Sequence, residues 1–303
     1  MYQSVLRPLL FQLDPEKAHH FTINSCRIAR RVPGLKALLK SLFFAQNEVN
    51  CMGLKFPNRI GLAAGLDKNA QVADLFASMG FGFVEIGTVT PKGQPGNPKP
   101  RLFRIPQDKA LINRMGFNND GLASIQNNLK KYQSRDFILG GNLGKNTSTS
   151  NTEAVNDYKT VLEGIYQMVD YIVLNISCPN IANLGELQNR DYLSSIMGMM
   201  QKFRAQKDVF KPFVIKLSPD LSDYQISETI ELVKEFNFNG IIISNTTTSR
   251  DKLTINTAKI DAIGNGGLSG MPLFSKNLHT IGEIRSKLSP DVAIIGCGGV
   301  FST

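Results

Sequence analysis

Short β-branched or apolar runs recur from about residue 58 onward, at intervals of roughly 25 to 40 residues, and amphipathic segments separate them. This alternation predicts βαβ units and a parallel sheet. The predicted strands are Ile60–Ala64, Phe83–Gly87, Ile138–Asn142, Tyr171–Asn175, Phe213–Lys216, Gly240–Ser244 and Val292–Gly296. The predicted helices between them are Ala70–Ser78, Thr152–Met168, Tyr192–Gln206, Ser222–Phe236 and Pro272–Leu288. A chain of 303 residues suits one main domain, so an α/β fold of the (β/α)₈ TIM-barrel type is expected over residues 48–303.

The end of the chain leaves this barrel one unit short. An eight-stranded barrel needs a further strand and helix after Val292–Gly296, and the chain ends at Thr303. The expectation is therefore a barrel whose last βα unit is missing from this chain, with the first and seventh strands unpaired on one side.

Residues 1–47 have a helical, amphipathic pattern instead of strand–helix alternation. Asp14-Pro15 predicts an N-cap followed by the first residue of a helix, which divides the region into two helices. Apolar and basic residues recur among them: Val5, Leu6, Leu9, Leu10, Leu13, Arg7, Lys17, Arg27, Arg30 and Arg31. The pattern is typical of a helical hairpin with an apolar opening on an anionic membrane surface, although a core-packing helix has a similar pattern.

Composition and charge narrow the classes of function. The hydrophobic fraction of 42% and the charged fraction of 19% are those of an ordinary globular protein. No run reaches the roughly 18 uncharged apolar residues of a membrane-spanning helix, and the N-terminus lacks a signal-peptide cleavage site, so a cytosolic chain is expected. The net charge of +9 suits an anionic partner. Nucleic acid is not expected, because the basic residues are scattered and form no aromatic-basic motif.

The cysteines do not form a metal-binding pattern. Cys26, Cys51, Cys178 and Cys297 lack CxxC spacing, which argues against both a zinc site and a disulfide framework. We interpret them as reduced thiols and predict no metal site.

Polar residues follow nearly every predicted strand, where a parallel barrel collects its catalytic groups. These residues are Asp67 and Lys68, Thr88, Asn142, Asn175 with Ser177 to Asn180, Lys216, Asn245 to Thr247, and the segment Gly296 to Gly299. A single such residue is usually a cap or a solvated side chain, but a whole row is hard to explain in that way. Amides and lysines dominate over carboxylates and histidines, which favours an anionic, heteroaromatic ligand. Gly266-Gly267 and Gly298-Gly299 can offer backbone N–H groups to a phosphate.

Several segments, in this order, resemble the signature motifs of the dihydroorotate dehydrogenase family. They are GLAAGLDKN (61–69), EIGTVTPKGQPGNPKPRLFR (85–104), LINRMGFNN (111–119), GNLGKN (141–146), NISCPN (175–180), IKLSPD (215–220), SNTTTSR (244–250) and GGLSG (266–270). LFQLDPEKAHHF (10–21) is similar to the helical extension of the quinone-linked, membrane-associated class 2 enzymes. The chain is therefore identified as a member of this family, and residues 1–47 as its extension for access to membrane and quinone.

The resemblance implies an FMN-dependent oxidation of (S)-dihydroorotate to orotate in de novo pyrimidine biosynthesis, with electrons passed to a membrane quinone. It assigns to FMN the residues Ala64, Gly65, Lys68, Thr88, Asn142, Asn175, Lys216, Thr246, Ser269, Gly270, Gly298 and Gly299. It assigns to the substrate Lys68, Asn113, Arg114, Met115, Gly116, Phe117, Asn175, Asn180, Asn245 and Thr246. His19 and Arg104 match residues between the flavin and the quinone path. A peripheral location on the cytoplasmic face of the inner membrane is implied as well.

Cys178 departs from the class 2 pattern, which has serine at this position, and matches the soluble class 1 enzymes. The reaction needs a base that removes the C5 proton of the substrate while hydride leaves C6 for the flavin. A thiol with an ordinary pKa near 8.5 is a better base near neutral pH than a hydroxyl group, so we predict that Cys178 is the catalytic base.

Two other interpretations remain open from the sequence. A class 1-like enzyme that uses a soluble acceptor, fumarate or NAD, is favoured by Cys178 and opposed by residues 1–47. A non-catalytic protein of the membrane surface is the other alternative. Assays with a quinone, fumarate and NAD as electron acceptors distinguish a class 1-like enzyme from a quinone-linked one. The absence of bound flavin would favour the non-catalytic protein.

Overall fold

A computed structural model describes residues 2–177 and 189–301. Its helices are α1 (Arg7–Gln12), α2 (Pro15–Ala29), α3 (Leu35–Phe43), α4 (Ala73–Ser78), α5 (Leu122–Leu129), α6 (Ala154–Ile165), α7 (Arg190–Arg204), α8 (Asp223–Glu235), α9 (Thr257–Ile263) and α10 (Phe274–Lys287). Its strands are β1 (Val49–Cys51), β2 (Leu54–Phe56), β3 (Gly61–Leu62), β4 (Phe83–Val89), β5 (Lys92–Gln94), β6 (Leu102–Ile105), β7 (Ala110–Asn113), β8 (Asn119–Gly121), β9 (Ile138–Leu143), β10 (Tyr171–Asn175), β11 (Phe213–Leu217), β12 (Gly240–Ile243), β13 (Gly267–Gly270) and β14 (Ala293–Gly296).

A parallel sheet forms the centre of the described structure. Its seven strands lie in the order β3, β4, β9, β10, β11, β12 and β14, and each pairs in parallel with its neighbours. They are the seven strands predicted from the sequence, with ends that differ by up to two residues. Helices alternate with the strands along the chain, as in a (β/α) barrel. The predicted fold class is confirmed.

The two faces of this sheet have different surroundings. Alternate residues such as Val84, Ile86 and Leu139 face the surrounding helices in the main hydrophobic core. The opposite face begins with a smaller apolar cluster that contains Tyr171 and Val173. The same face continues toward the carboxyl ends of the strands with polar side chains: Glu85, Asn142, Asn175, Lys216 and Ser244. The barrel interior therefore changes from apolar to polar along its axis.

Additional antiparallel strands surround the barrel and were not predicted. β6, β7 and β13 form one sheet, and β5 pairs with β8. The hairpin β1–β2 packs Met52 and Leu54 against the apolar interior cluster and covers that end of the barrel. These strands are short and partly polar, so their periodicity is weak.

The N-terminal region contains three helices, α1, α2 and α3, whereas two were predicted. The predicted cap at Asp14 is confirmed, because its Oδ1 accepts the backbone N–H groups of Glu16 and Lys17 at 3.0 Å. The correction concerns α3, which begins after Gly34, a residue with φ of 77° that only glycine adopts without strain. Among the described residues, no helix combines the length and the hydropathy needed to cross a bilayer.

A buried ion pair fixes α2 to the barrel. The Arg101 guanidinium donates to both Glu16 carboxylate oxygens, at 2.7 Å and 3.1 Å, and also to the carbonyls of Pro95 and Asn97. Burial alone would raise the pKa of Glu16, but the hydrogen bonds and charge of Arg101, together with Lys99, lower it to about 2. The pair therefore stabilises the docked helix while the carboxylate is ionised.

We expect Glu16→Ala to lower the free energy of unfolding by about 3 kcal/mol, because Arg101 would remain buried without its partner. Since the folded-state pKa is depressed, this stabilisation is complete above about pH 4.5 and is lost as the pH falls toward 2. Thermal unfolding of both proteins at about pH 6 and about pH 2.5 measures the difference and its loss. Glu163→Ala, which removes a solvent-exposed ion pair with Lys159, is the control and should change little. An equal effect of the two substitutions at about pH 6 would contradict the prediction.

Candidate functional site

A cavity of about 600 Å³ lies at the carboxyl ends of the barrel strands. The barrel, the sheet β6–β7–β13 and the helices α1 and α2 all contribute to its walls. This volume is in the usual range for a site that holds a cofactor or a small molecule. Active sites of (β/α) barrels lie at the carboxyl ends of the strands, which is where this cavity is found.

Most of the predicted site residues line this cavity. From the FMN set these are Ala64, Gly65, Lys68, Thr88, Asn175, Lys216, Thr246, Ser269 and Gly298. From the substrate set they are Lys68, Asn113, Met115, Gly116, Phe117, Asn175, Asn245 and Thr246, and from the quinone set His19 and Arg104. Asn142 lies one layer deeper, whereas Gly270 and Gly299 each follow a lining residue in the chain. Cys178 and Asn180 lie outside the described residues.

Arg114 is the predicted substrate residue that the structure places elsewhere. Its Nη1 donates to the carbonyl oxygens of Ile263 and Asn265 at 2.6 Å and 2.8 Å. Its guanidinium also lies 4.6 Å from the centre of the Phe103 ring. The side chain therefore fixes the segment after α9 and does not line the cavity.

A row of hydrogen-bonded amides forms the floor of the cavity. Asn142 Oδ1 accepts from Thr88 Oγ1 at 2.6 Å and from Asn175 Nδ2 at 3.0 Å. Asn175 Oδ1 in turn accepts from Asn245 Nδ2 at 3.3 Å, and Asn245 Nδ2 also donates to Ser177 Oγ at 2.9 Å. Thr88, Asn142 and Asn175 come from the ends of the neighbouring strands β4, β9 and β10, and Asn245 follows β12, which lies one strand further along the sheet. The row gives a flat ligand closely spaced donors and acceptors.

Two lysines supply positive charge to the same cavity. Lys68 donates to Asn118 Oδ1 at 2.8 Å, and burial, with the Arg101 charge acting in the same direction, lowers its pKa to about 8. Lys216 is buried at the end of β11. Both groups can stabilise negative charge that develops on a ligand inside the cavity.

Gly298 and Gly299 form a backbone cradle beside the N-terminus of α10. Both have positive φ, 98° and 78°. A Cβ atom at Gly299 would lie 2.8 Å from the Phe274 backbone nitrogen, so a side chain is excluded there. Backbone N–H groups of consecutive glycines next to the start of a long helix suit a phosphate group.

Arg104 and His19 lie where the N-terminal helices meet the cavity. Arg104 donates to the carbonyl oxygens of Leu13 and Leu10 at 2.8 Å and 3.3 Å, and its guanidinium is 4.5 Å from the centre of the Phe11 ring. These bonds hold the end of α1 beside the cavity. Burial, with the charges of Lys68 and His20, lowers the pKa of His19 to about 4, so His19 is neutral near pH 7.

Sequence reasoning missed several residues of the site. Asn118 and Ser244 line the cavity, and Glu85 lies beneath it against Asn142. Asn277 on α10 accepts from Ser244 Oγ at 2.7 Å and donates to the carbonyl of Cys297 at 2.7 Å, so it joins two strand ends. Strand alternation contained a signal for Glu85, because it shares the inward face of β4 with Phe83. Asn277 had no comparable signal.

Comparisons with known proteins agree with this geometry. The dihydroorotate dehydrogenase family profile matches residues 46–303. The protein named dihydroorotate dehydrogenase (quinone) of Christiangramia forsetii is 44% identical and covers 100% of this chain and 88% of its own length. That of Methylibium petroleiphilum is also 44% identical, over 99% of this chain and 87% of its own length.

Solved structures give the same result. The ligand-free dihydroorotate dehydrogenase of Eimeria tenella superposes with a TM-score of 0.85 at 34% identity, covering 95% of this chain and 83% of that one. The same enzyme in complex with ferulenol has a TM-score of 0.82 at 34% identity, covering 95% and 81%. This chain therefore belongs to the dihydroorotate dehydrogenase family, and it groups there with the quinone-type, class 2 members.

Proposed function

We propose that this protein oxidises dihydroorotate to orotate with bound FMN and passes the electrons to a membrane quinone, as a step of pyrimidine biosynthesis. The observation that carries the proposal is one cavity that joins the amide row, the two lysines and the glycine cradle to an opening beside α1 and α2. The names of the relatives support the same reaction and the same acceptor.

The residues of the cavity fit FMN. Its phosphate would lie against Gly298-Gly299 and the start of α10, where a side chain at Gly299 would clash. Thr88, Lys216 and Ser269 would hold the ring system and the sugar chain. FMN supplies the hydride acceptor for oxidation and the electrons for the quinone. The lysines would stabilise the negative charge that reduction brings.

The substrate would lie on the amide side of the cavity. Asn113, Asn175 and Asn245 offer the mixed donors and acceptors that match the ring of dihydroorotate, and Lys68 suits its carboxylate. Met115, Gly116 and Phe117 line the same wall, with Asn180 and Thr246 completing the proposed set. Cys178 would remove the C5 proton.

The quinone would enter through the helices at the N-terminus. Leu10, Phe11 and Ala18 line the cavity together with His19 and Arg104, so an apolar ring could lie between α1 and α2. We propose residues 1–47 as the extension for membrane and quinone access, and residues 48–303 as the FMN-binding barrel. The protein would bind the cytoplasmic face of the inner membrane peripherally.

A visible absorption spectrum of the purified protein tests the function. We expect a flavin spectrum, bleaching on addition of dihydroorotate without oxygen, and reoxidation by a short-chain quinone. Parallel assays with fumarate and NAD address the class 1-like alternative, which Cys178 favours. A colourless protein, or flavin that dihydroorotate does not bleach, would contradict the proposal.

The affinity for orotate should depend on pH through Lys68. Burial lowers the pKa of the Lys68 ammonium to about 8, and an anion bound to it requires the protonated form. Orotate binding should weaken above about pH 8, by up to about tenfold per pH unit. Calorimetric titration between about pH 7 and about pH 9.5 measures this dependence. Lys68→Arg, which stays charged, should remove it, and a pH-independent wild-type affinity would disprove the role of Lys68.

A further inference from the structure

Glu85 is a buried carboxyl group directly beneath the cavity, and the chemistry described above gives it no role. Its residue is 4% exposed, and it lies on the inward face of β4 between the apolar cluster and the polar strand ends. A carboxyl group in this position is costly to bury unless its oxygens are satisfied by donors or cations. Its partners therefore indicate why it is there.

The neighbours of Glu85 hold its oxygens as hydrogen-bond acceptors. Asn142 Nδ2 donates to Glu85 Oε1 at 2.7 Å. Burial raises the pKa of the Glu85 carboxyl, and the Lys216 charge, the Asn142 amide and the Ala64 N–H act against that rise. Because Lys216 is a cation and the Ala64 N–H can only donate, both favour Glu85 as an acceptor, in agreement with the Asn142 NH₂ that faces it.

The orientation of the Asn142 amide determines the orientation of the next amide in the row. With its NH₂ toward Glu85, Asn142 presents Oδ1 to Thr88 and Asn175, so Asn175 must donate to it. Asn175 then presents its own Oδ1 to Asn245 and to the Ser177 backbone N–H, which donates to it at 3.4 Å and favours the same direction. A side-chain amide has nearly the same shape after a half-turn, so shape alone does not decide between the two directions.

The far end of the row agrees with the direction that Glu85 sets. The Thr246 backbone N–H donates to Asn245 Oδ1 at 2.9 Å, which turns the Asn245 NH₂ toward Asn175 and Ser177. A fixed acceptor at one end and a fixed donor at the other thus select one of two arrangements. Asn142 contacts Glu85 directly, whereas Asn175 and Asn245 lie between Asn142 and the Thr246 N–H.

We propose that Glu85 is a positioning residue that fixes the donor–acceptor direction of the row Asn142–Asn175–Asn245, and thereby makes the cavity select a ligand ring by its hydrogen-bonding pattern. The proposal rests on the proposed function for the identity of the ligand, orotate. It assigns Glu85 no contact with substrate or cofactor. Glu85 would affect how well the cavity distinguishes ligands that have the same shape but different hydrogen-bonding groups.

The experiment compares orotate with an analogue in which one ring carbonyl is replaced by an amino group, which exchanges an acceptor for a donor. Calorimetric titration of the flavin-loaded protein gives both dissociation constants and their ratio. We expect Glu85→Met, which removes the acceptor, to reduce the preference for orotate at least about tenfold. Glu85→Gln keeps a carbonyl acceptor and should retain the preference within about threefold.

Two further variants keep the test decisive. Asn58 is a buried amide before β3 that bonds to the carbonyls of Ala45 and Gly80, so Asn58→Leu should lower the melting temperature without changing the preference. If Glu85→Met does not fold, Asn142→Leu interrupts the same row at its next member and should reduce the preference similarly.

Different outcomes would contradict the proposed function and the proposed role of Glu85. Failure of the wild-type protein to bind orotate would count against the proposed function. Binding of orotate by the wild type, with equal weakening of both ligands in Glu85→Met, would overturn the role of Glu85. Loss of the preference in Glu85→Gln to the extent seen in Glu85→Met would overturn it as well, because the charge and not the acceptor would then matter.

Discussion

Replacement of Cys178 by alanine is expected to slow reduction of the bound flavin by dihydroorotate at least about 100-fold, the lower range for loss of a general base. In the sequence, Cys178 comes directly after Ser177, and Asn175 and Ser177 take part in the amide row at the strand ends. The thiol has an ordinary pKa closer to neutral pH than a hydroxyl group has. Cys178→Ser should therefore retain activity with its pH optimum displaced upward.

Stopped-flow measurement of flavin bleaching without oxygen isolates this step from quinone reduction. Orotate binding and flavin content should stay near those of the wild type, because the base acts on the transition state and not on binding. Cys297→Ala is the matched control, since Cys297 lines the same cavity from the end of β14 and has no proposed part in proton transfer. Near-normal bleaching in Cys178→Ala would eliminate Cys178 as the base.

The barrel could be predicted from the sequence because its strands are buried on both faces. Strands such as Tyr171–Asn175 and Phe213–Leu217 begin with continuous apolar stretches, residues 171–174 and 213–215, which local composition reveals. The carboxyl ends of parallel strands meet at one edge, so the residues that follow these runs could be grouped from their positions in the chain alone. Much of the cavity lining followed from this rule and from the family motifs.

The remaining features depend on contacts that are distant in sequence. β13 consists of Gly267–Gly270 and becomes a strand by pairing with β7, whose residues lie far earlier in the chain. Arg114 stands within a family motif, but the carbonyls of Ile263 and Asn265 bind its guanidinium away from the cavity. Neither arrangement has a local signal, because both depend on how the segment after β12 folds back over β7.

Three exposed leucines on and beside α1 form the proposed membrane surface, and their replacement should strongly weaken membrane binding. Leu6, Leu9 and Leu13 are 45%, 57% and 41% exposed, although each is a large apolar residue. They do not line the cavity, whereas Leu10 and Phe11 between them do. Exposed leucines next to a cavity-lining pair suit a helix that lies on a bilayer and brings an apolar ligand to the opening.

The triple substitution Leu6→Gln, Leu9→Gln and Leu13→Gln should therefore separate membrane binding from catalysis. If each leucine contributes about 1 kcal/mol by burial in lipid, the loss of three weakens binding to vesicles by roughly 100-fold. Quinone reduction in vesicles should fall with it, while flavin bleaching by dihydroorotate and reduction of a water-soluble dye stay unchanged. Val209→Gln with Leu278→Gln is the control, since these residues are 48% and 59% exposed and do not belong to the N-terminal helices. Equal loss of dye and quinone reduction in the triple variant would mean that α1 serves only the fold, and unchanged vesicle binding would mean that the membrane lies against another surface.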